Sequence, residues 1–355
     1  MRVVFRVDAS QHIGSGHVMR CLVLAEALRG NGYSVLFATR AQVADLNDFI
    51  SSKGFSVIDL MQPSYWQTPT SSADYAAWLQ VSEIEDSQDF IYKVENADLV
   101  IVDHYGINIK WHKQVKQHLS CTLMVIDDLV REHEADIVLD QTLNRDALEY
   151  TKFRDCLALT GTDYALLKPG FRSSRETLFH KGEPNKHTIL ISMGGVDLPN
   201  ASLSALVALQ HLEEKILTTV LLSKRSPNYE VVKTFVNTNS DWVNHVDFVD
   251  NMPEFMTKYS IMVGAPGSTS WERACLGIPS IIVPIADNQQ TIAQQLESAN
   301  AVKVVELENI KSDLAASLKE ILSQWQNYRA HNFALCDGLG GDRALKQLKR
   351  FMEQC

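Results

Sequence analysis

Short runs of aliphatic and β-branched residues alternate with stretches of helical periodicity along almost the whole chain. The pattern predicts strands at Val3–Val7, Val35–Ala38, Ser56–Leu60, Leu99–Val102, Thr122–Ile126, Ile137–Leu139 and Leu157–Leu159. A second series follows at Thr188–Ser192, Leu217–Leu222, Val246–Val249, Ile261–Val263, Ser280–Pro284 and Val302–Val305. Runs that are apolar without alternation suit parallel strands covered by helices on both faces. Two successive βα arrays therefore predict an α/β fold, with two Rossmann-like domains whose parallel sheets face a central cleft. Lys168-Pro169-Gly170 and Lys181-Gly182-Glu183-Pro184 place the link between them within residues 161–186. The expected domains are residues 1–165 and 166–341, with a C-terminal helix of about 342–355 packing back on the first. Gln62–Ser72, rich in Pro, Ser and Thr, reads as a loop.

Candidate chemistry sits where strands end. The first strand runs into Ile13-Gly14-Ser15-Gly16-His17-Val18-Met19-Arg20, and a helical pattern follows with Cys21, Leu22, Leu24, Ala25 and Leu28 on or near one face. A strand–Gly-loop–helix unit leaves backbone N–H groups free at a helix N-terminus, where an anion or a reacting group can sit. Gly14 and Gly16 give clearance beside that backbone, and His17 adds a titratable side chain. The positive end of a helix favours the neutral, basic imidazole. A lone histidine at a helix start is more often structural. Asp8 either orients His17 or accepts from loop amides. Arg20 binds a phosphate or pairs with an acid, and the pair is favoured. Gly338-Leu339-Gly340-Gly341 follows no clear strand and reads as a helix break.

The second half repeats the unit. Gly264-Ala265-Pro266-Gly267-Ser268-Thr269-Ser270-Trp271-Glu272 follows a strand and opens a helix. Gly267, Ser268 and Thr269 offer N–H groups and hydroxyls to a phosphate at the positive helix end. Glu272 can bridge a ribose diol, or serve only as a favourable first-turn charge. Asn288 and Gln289, in Ala286-Asp287-Asn288-Gln289-Gln290, are candidate sugar contacts; a helix N-cap at Asp287 or Asn288 is the plainer alternative. Gly194 and Gly195 follow another strand and either admit a ligand or satisfy a turn. Each loop alone is a weak signal, but together they point to a nucleoside diphosphate.

Composition narrows the class. The chain has 355 residues, 45% of them hydrophobic, and a net charge of −10, which suggests neither a nucleic-acid nor an anionic-membrane partner. The start enters a strand directly without the features of a signal peptide, and no run of about 18 apolar residues occurs. The six cysteines are scattered, without a C-x-x-C pair, as expected for reduced thiols in the cytoplasm. Asp127-Asp128 ends a strand and reads as a cap or turn, so no metal is assigned.

The stretches Ile13–Arg20, Gly264–Glu272 and Asp287–Gln289 together resemble the UDP-2,4-diacetamido-2,4,6-trideoxy-β-L-altropyranose hydrolases (PseG) of pseudaminic acid biosynthesis. These are GT-B-fold relatives of the MurG-type glycosyltransferases. Asp103-His104-Tyr105 fits the same family, and the resemblance runs from Met1 to about Arg343. It implies a GT-B architecture and a cytoplasmic UDP-sugar hydrolase, here expected as a monomer without cofactor or metal. UDP would lie in the second domain, with Glu272 on the ribose and Gly267, Ser268 and Thr269 on the diphosphate. Asn288 and Gln289 would reach the sugar or its phosphate. His17 would be the general base, with Gly14, Gly16 and Tyr105 lining its site; a packed aromatic is the other reading of Tyr105. The competing functions are a GT-B glycosyltransferase, a hydrolysing UDP-sugar 2-epimerase and a non-catalytic nucleotide-sugar-binding protein.

Overall fold

The computed structural model describes residues 1–354, apart from the Asn288 side chain. Its strands form two parallel sheets. The first holds β1 (Arg2–Val7), β2 (Ser34–Thr39), β3 (Ser56–Asp59), β4 (Leu99–Asp103), β5 (Thr122–Ile126), β6 (Ile137–Asp140) and β7 (Leu157–Thr160), in the order β3-β2-β1-β4-β5-β6-β7. The second holds β8 (Thr188–Ser192), β9 (Leu217–Leu221), β10 (Val243–Val246), β11 (Ile261–Gly264), β12 (Ser280–Ile282) and β13 (Val302–Val304), in the order β10-β9-β8-β11-β12-β13.

The reason for the continuous apolar runs is visible in β1 and β4. Val3, Phe5 and Val7, with Leu99 and Ile101, enter a core shared with Leu22, Leu24 and Leu28 of the helix Gly16–Gly30. Val4, Val100 and Val102 enter a separate core on the other face, with Phe90 and Trp111. Successive side chains point to opposite sides of a strand, so a sheet covered on both faces needs every position apolar. Burying each such side chain is worth about 1.5–3 kcal/mol.

The chain divides into two compact units: residues 1–166 together with the residues from Leu339 onward, and Leu167–Gly338. The return is made by the helix Gly340–Met352, whose Ala344 and Leu348 are buried in the first unit's core. Gly340 makes the approach possible, since a Cβ there would lie 2.2 Å from the Ala165 carbonyl oxygen. Within residues 161–186 the structure forms a helix, Pro169–Phe179, with proline in its first turn.

One strand differs from the sequence reading. The run Val246–Val249 is not a strand; β10 spans Val243–Val246, earlier in the chain. Trp242 and Val243 are buried beside Val232 and Val236, whereas Phe248 is 64% exposed. The apolar residues of Val246–Val249 belong largely to a surface segment, and the anchoring Trp242 sets the register. Among the described residues, no helix is long and apolar enough to cross a membrane.

Candidate active site

In each sheet the strand order reverses once, between β1 and β4 and between β8 and β11. Ligands of open α/β sheets bind beyond the carboxyl ends of strands at such a reversal. The glycine loops singled out in the sequence and Asp103-His104-Tyr105 leave these four strands, while Asp127-Asp128 and Asp287–Gln289 leave the neighbouring β5 and β12.

In the first unit, the loop after β1 is tied by Ser10. Its Oγ accepts from the His12 and Ile13 amides at 3.2 and 3.1 Å, and its carbonyl accepts from Gly14 N–H at 2.8 Å. Gly14 takes φ +79°, a left-handed conformation that costs glycine little. The helix then starts at Gly16 without a side-chain cap, and His17 lies on its first turn, 9% exposed. Its Nδ1 is 2.6 Å from Asp103 Oδ1, at the end of β4. Burial alone would raise the Asp103 carboxyl, but Arg20 and His17 hold it well below the usual carboxylate range. An ionised carboxylate only accepts, so Nδ1 carries the proton that bridges the pair, and Nε2 is the ring nitrogen left for another partner.

Arg20, one helical turn on, clamps the same carboxylate through Nε and Nη2 at 2.6 and 2.7 Å. Its Nη1 reaches Asp128 at 2.9 and 3.1 Å. Tyr105 donates to Asp128 at 2.7 Å and meets the His17 ring edge-on, centroids 4.7 Å apart. Burial, then Asp128, pushes the Tyr105 phenol well above its usual range, so it stays a donor. Tyr105 is also 5% exposed against Tyr75 and Trp78. It is at once a packed aromatic and a neighbour of His17.

Of the two roles considered for Asp8, the structure shows acceptance from a loop amide, to which it adds an arginine. It does not orient His17; it receives Arg6 at 2.6 Å and the Arg40 amide at 2.7 Å, with His104 Nε2 at 3.4 Å. Parity explains this. Asp103 follows Leu99 and Ile101 onto the face covered by the His17 helix, while Asp8 follows Val4 and Arg6 onto the opposite face. There Arg6 also makes two bonds to Asp86, at 3.0 and 2.7 Å. Asp86 further accepts from Arg40 at 2.8 Å and Trp111 at 2.9 Å. Asp127 is held by Arg131, the Arg131 and Leu129 amides and Tyr150, as a turn-forming acid. Among the described residues, no cluster of three metal-ligating side chains occurs.

In the second unit, Gly267 (φ +141°) precedes the helix Ser268–Leu276, and Gly194 (φ +91°) follows β8; a Cβ built on either would meet nothing within 4 Å. The backbone at both is open to a ligand. The Gly267 amide donates to Ser270 Oγ at 3.3 Å, and Thr269 Oγ1 donates to the Ala265 carbonyl at 3.4 Å. Gln289 Oε1 accepts from the Ile285 amide at 2.9 Å, which fixes the loop after β12. The Asn288 side chain lies outside the described residues. Glu272 has no hydrogen bond or ion pair among the described residues, and burial raises its carboxyl to about 7 despite Arg273 and Lys168.

An unpaired carboxylate in a half-buried position is costly, and the cost is measurable. Between about pH 4.5 and 7 the folded protein retains a proton on Glu272 that the unfolded chain has lost. Stability therefore falls as pH rises through that window. Glu272→Gln removes this dependence, so the variant is expected to be more stable than the parent above pH 7, by roughly 1–3 kcal/mol. Melting temperatures at pH 5 and pH 8 check it: the gap between variant and parent should open only at the higher pH.

Residues 192–343 match the glycosyltransferase family 28 C-terminal domain. The chain is 26% identical to the UDP-2,4-diacetamido-2,4,6-trideoxy-beta-L-altropyranose hydrolase of Campylobacter jejuni, over 83% of this chain and 96% of that protein. It is 30% identical to a UDP-N-acetylglucosamine--N-acetylmuramyl-(pentapeptide) pyrophosphoryl-undecaprenol N-acetylglucosamine transferase of Leuconostoc mesenteroides, over 44% of this chain and 46% of that one. The crystal structure of Acinetobacter baumannii MurG superposes with a TM-score of 0.66 at 14% identity, covering 98% of this chain and 99% of the other. The fold is GT-B, and the resemblance to PseG-type hydrolases read from the loops extends over most of the chain.

Proposed function

We propose that this GT-B chain hydrolyses a UDP-sugar of the 2,4-diacetamido-2,4,6-trideoxy-β-L-altropyranose type, releasing UDP and the free sugar with inversion, as a cytoplasmic step of pseudaminic acid biosynthesis. The His17–Asp103 pair carries this reading: a histidine with Nδ1 committed to an ionised carboxylate has Nε2 free to take a proton. Nε2 removes a proton from water as the water oxygen bonds to the anomeric carbon. The C1–O bond breaks, and its electron pair leaves on the β-phosphate of UDP. Asp103 stabilises the imidazolium that forms, as the orienting acid of a triad does.

The second unit holds the leaving group in this scheme. Gly267, Ser268 and Thr269 bind the diphosphate at a helix N-terminus, whose dipole offsets the charge released on cleavage. Glu272, which makes no hydrogen bond or ion pair among the described residues, accepts from the ribose diol. Gly194 borders the nucleotide. Asn288 and Gln289 reach the sugar or its phosphate, while Gly14, Gly16 and Tyr105 border the sugar beside His17.

The test is an assay on the UDP-sugar in H₂¹⁸O. Label on the sugar C1 hydroxyl is the expected result, because water attacks carbon. Label in UDP would mean attack at phosphorus and would overturn the scheme. The likeness to the Leuconostoc transferase and to family 28 favours one other reading, transfer to an acceptor. That reading requires UDP release to be negligible until an acceptor is added.

A further inference from the structure

We propose that Arg273 is a positioning residue that anchors the nucleoside diphosphate from below: a buried guanidinium, set where β8 and β11 end, that lacks a counter-ion until an anion occupies the Gly264–Ser270 loop. The inference rests on reading that loop as the diphosphate site. It adds a charge to what is otherwise a binding surface of backbone N–H groups and hydroxyls.

Arg273 is 1% exposed. Its Nη2 donates to the Ala265 carbonyl at 3.1 Å and Ser270 Oγ at 3.0 Å, so the guanidinium lies directly beneath the loop. Its Nε and Nη1 have no hydrogen-bond partner among the described residues. The position of Nη1 follows from Gly264: a Cβ built there would lie 2.9 Å from Nη1 and 2.4 Å from the Ser192 carbonyl oxygen. Gly264 and Ser192 are register partners of β11 and β8. The group thus occupies the seam from which both open glycine loops depart, and Gly264 leaves the room for it.

Holding the loop explains Nη2 but neither of the other two nitrogens. Buried charges are ordinarily paired, because an isolated one loses its hydration without compensation. Burial pulls this guanidinium down to about 10, with Glu272 opposing the shift. No ion pair joins Arg273 to a carboxylate among the described residues, and Glu272 itself is raised to about 7. A diphosphate on the loop supplies the missing negative charge, so the site favours a dianionic or trianionic ligand over a neutral nucleoside.

Calorimetric titration of the full chain with uridine and with UDP tests the anchor, using the parent, Arg273→Lys and Arg273→Met. The methionine variant is expected to lose about 10- to 100-fold in UDP affinity, in the range of a hydrogen bond to a charged group, with uridine affinity unchanged. Lysine retains the charge and should keep most of the preference for UDP. Arg273→Gln serves instead if the methionine variant does not fold. An equal loss of uridine and UDP affinity, or a lysine variant as weak as methionine, assigns Arg273 a merely structural role and overturns the proposal. A parent that fails to prefer UDP over uridine overturns the nucleotide reading of the loop and the anchor with it. A parent with that preference, matched by an unaltered methionine variant, overturns the anchor alone.

Discussion

His17→Ala is expected to reduce turnover of the UDP-sugar by about 10²–10⁴-fold, the usual contribution of a positioned general base, while UDP affinity stays near that of the parent. The separation follows from where the groups lie. His17 belongs to the first unit, whereas the open glycines and Glu272 belong to the second. Truncating the imidazole removes the proton acceptor but no group proposed to hold the nucleotide. His17→Asn should behave alike, because an amide nitrogen does not take a proton near neutral pH. Asp103 remains clamped by Arg20 through two bonds in either variant, so the folded structure is expected to survive. Steady-state kinetics with the UDP-sugar and titration with UDP give the two numbers. Full turnover in His17→Ala would remove the histidine from the mechanism.

Asp86→Ala is expected to destabilise the fold by about 3–5 kcal/mol, the range for removing one partner of a buried ion pair. Asp86 is fully buried and carries four hydrogen bonds: two from Arg6, one from Arg40 and one from Trp111. Burial would raise its carboxyl, but Arg6 and Arg40 hold it below the usual range, so it stays charged at neutral pH. Alanine leaves Arg6 with Asp8 as its one carboxylate. It leaves the Arg40 guanidinium, whose Nε and Nη1 already lack a hydrogen-bond partner among the described residues, without the Asp86 carboxylate that it pairs with. Of the two desolvated guanidinium groups, Arg6 alone then keeps an acid. Urea denaturation of the first unit reports the loss. The Asp86 cluster lies on the face of the sheet opposite His17, so turnover per folded molecule should change far less than in His17→Ala. A loss below 1 kcal/mol would show that the cluster repacks around the missing acid.

Much of this molecule is legible locally. The strand runs, the glycine loops that end them, and the place of His17 on a first helical turn all depend on residues close in sequence; Glu272, expected as a first-turn charge, instead lies one turn in, because the helix begins at Ser268. Backbone period and glycine's conformational freedom act over a few positions, so they leave a readable trace. Even the partner of His17 leaves one. The alternation within β1 and β4 sets Asp103, and not Asp8, on the face that the His17 helix covers. Reading that parity requires knowing that β1 and β4 are neighbours, and no local pattern states it. Apolar runs near a surface mislead for a related reason: Val246–Val249 reads as a strand, yet burial of Trp242 and Val243 draws β10 to Val243–Val246.

The sequence by itself therefore determined two βα arrays, their glycine loops and the chemistry each loop offers. Only the tertiary structure decided which loops meet. It brought together Asp103 and His17, 86 residues apart, and set the ends of β8 and β11 side by side over the buried Arg273. Strand order and burial are settled by packing the whole chain at once. A counter-charge supplied or withheld across a sheet is a property of that packing, and it has no local signature.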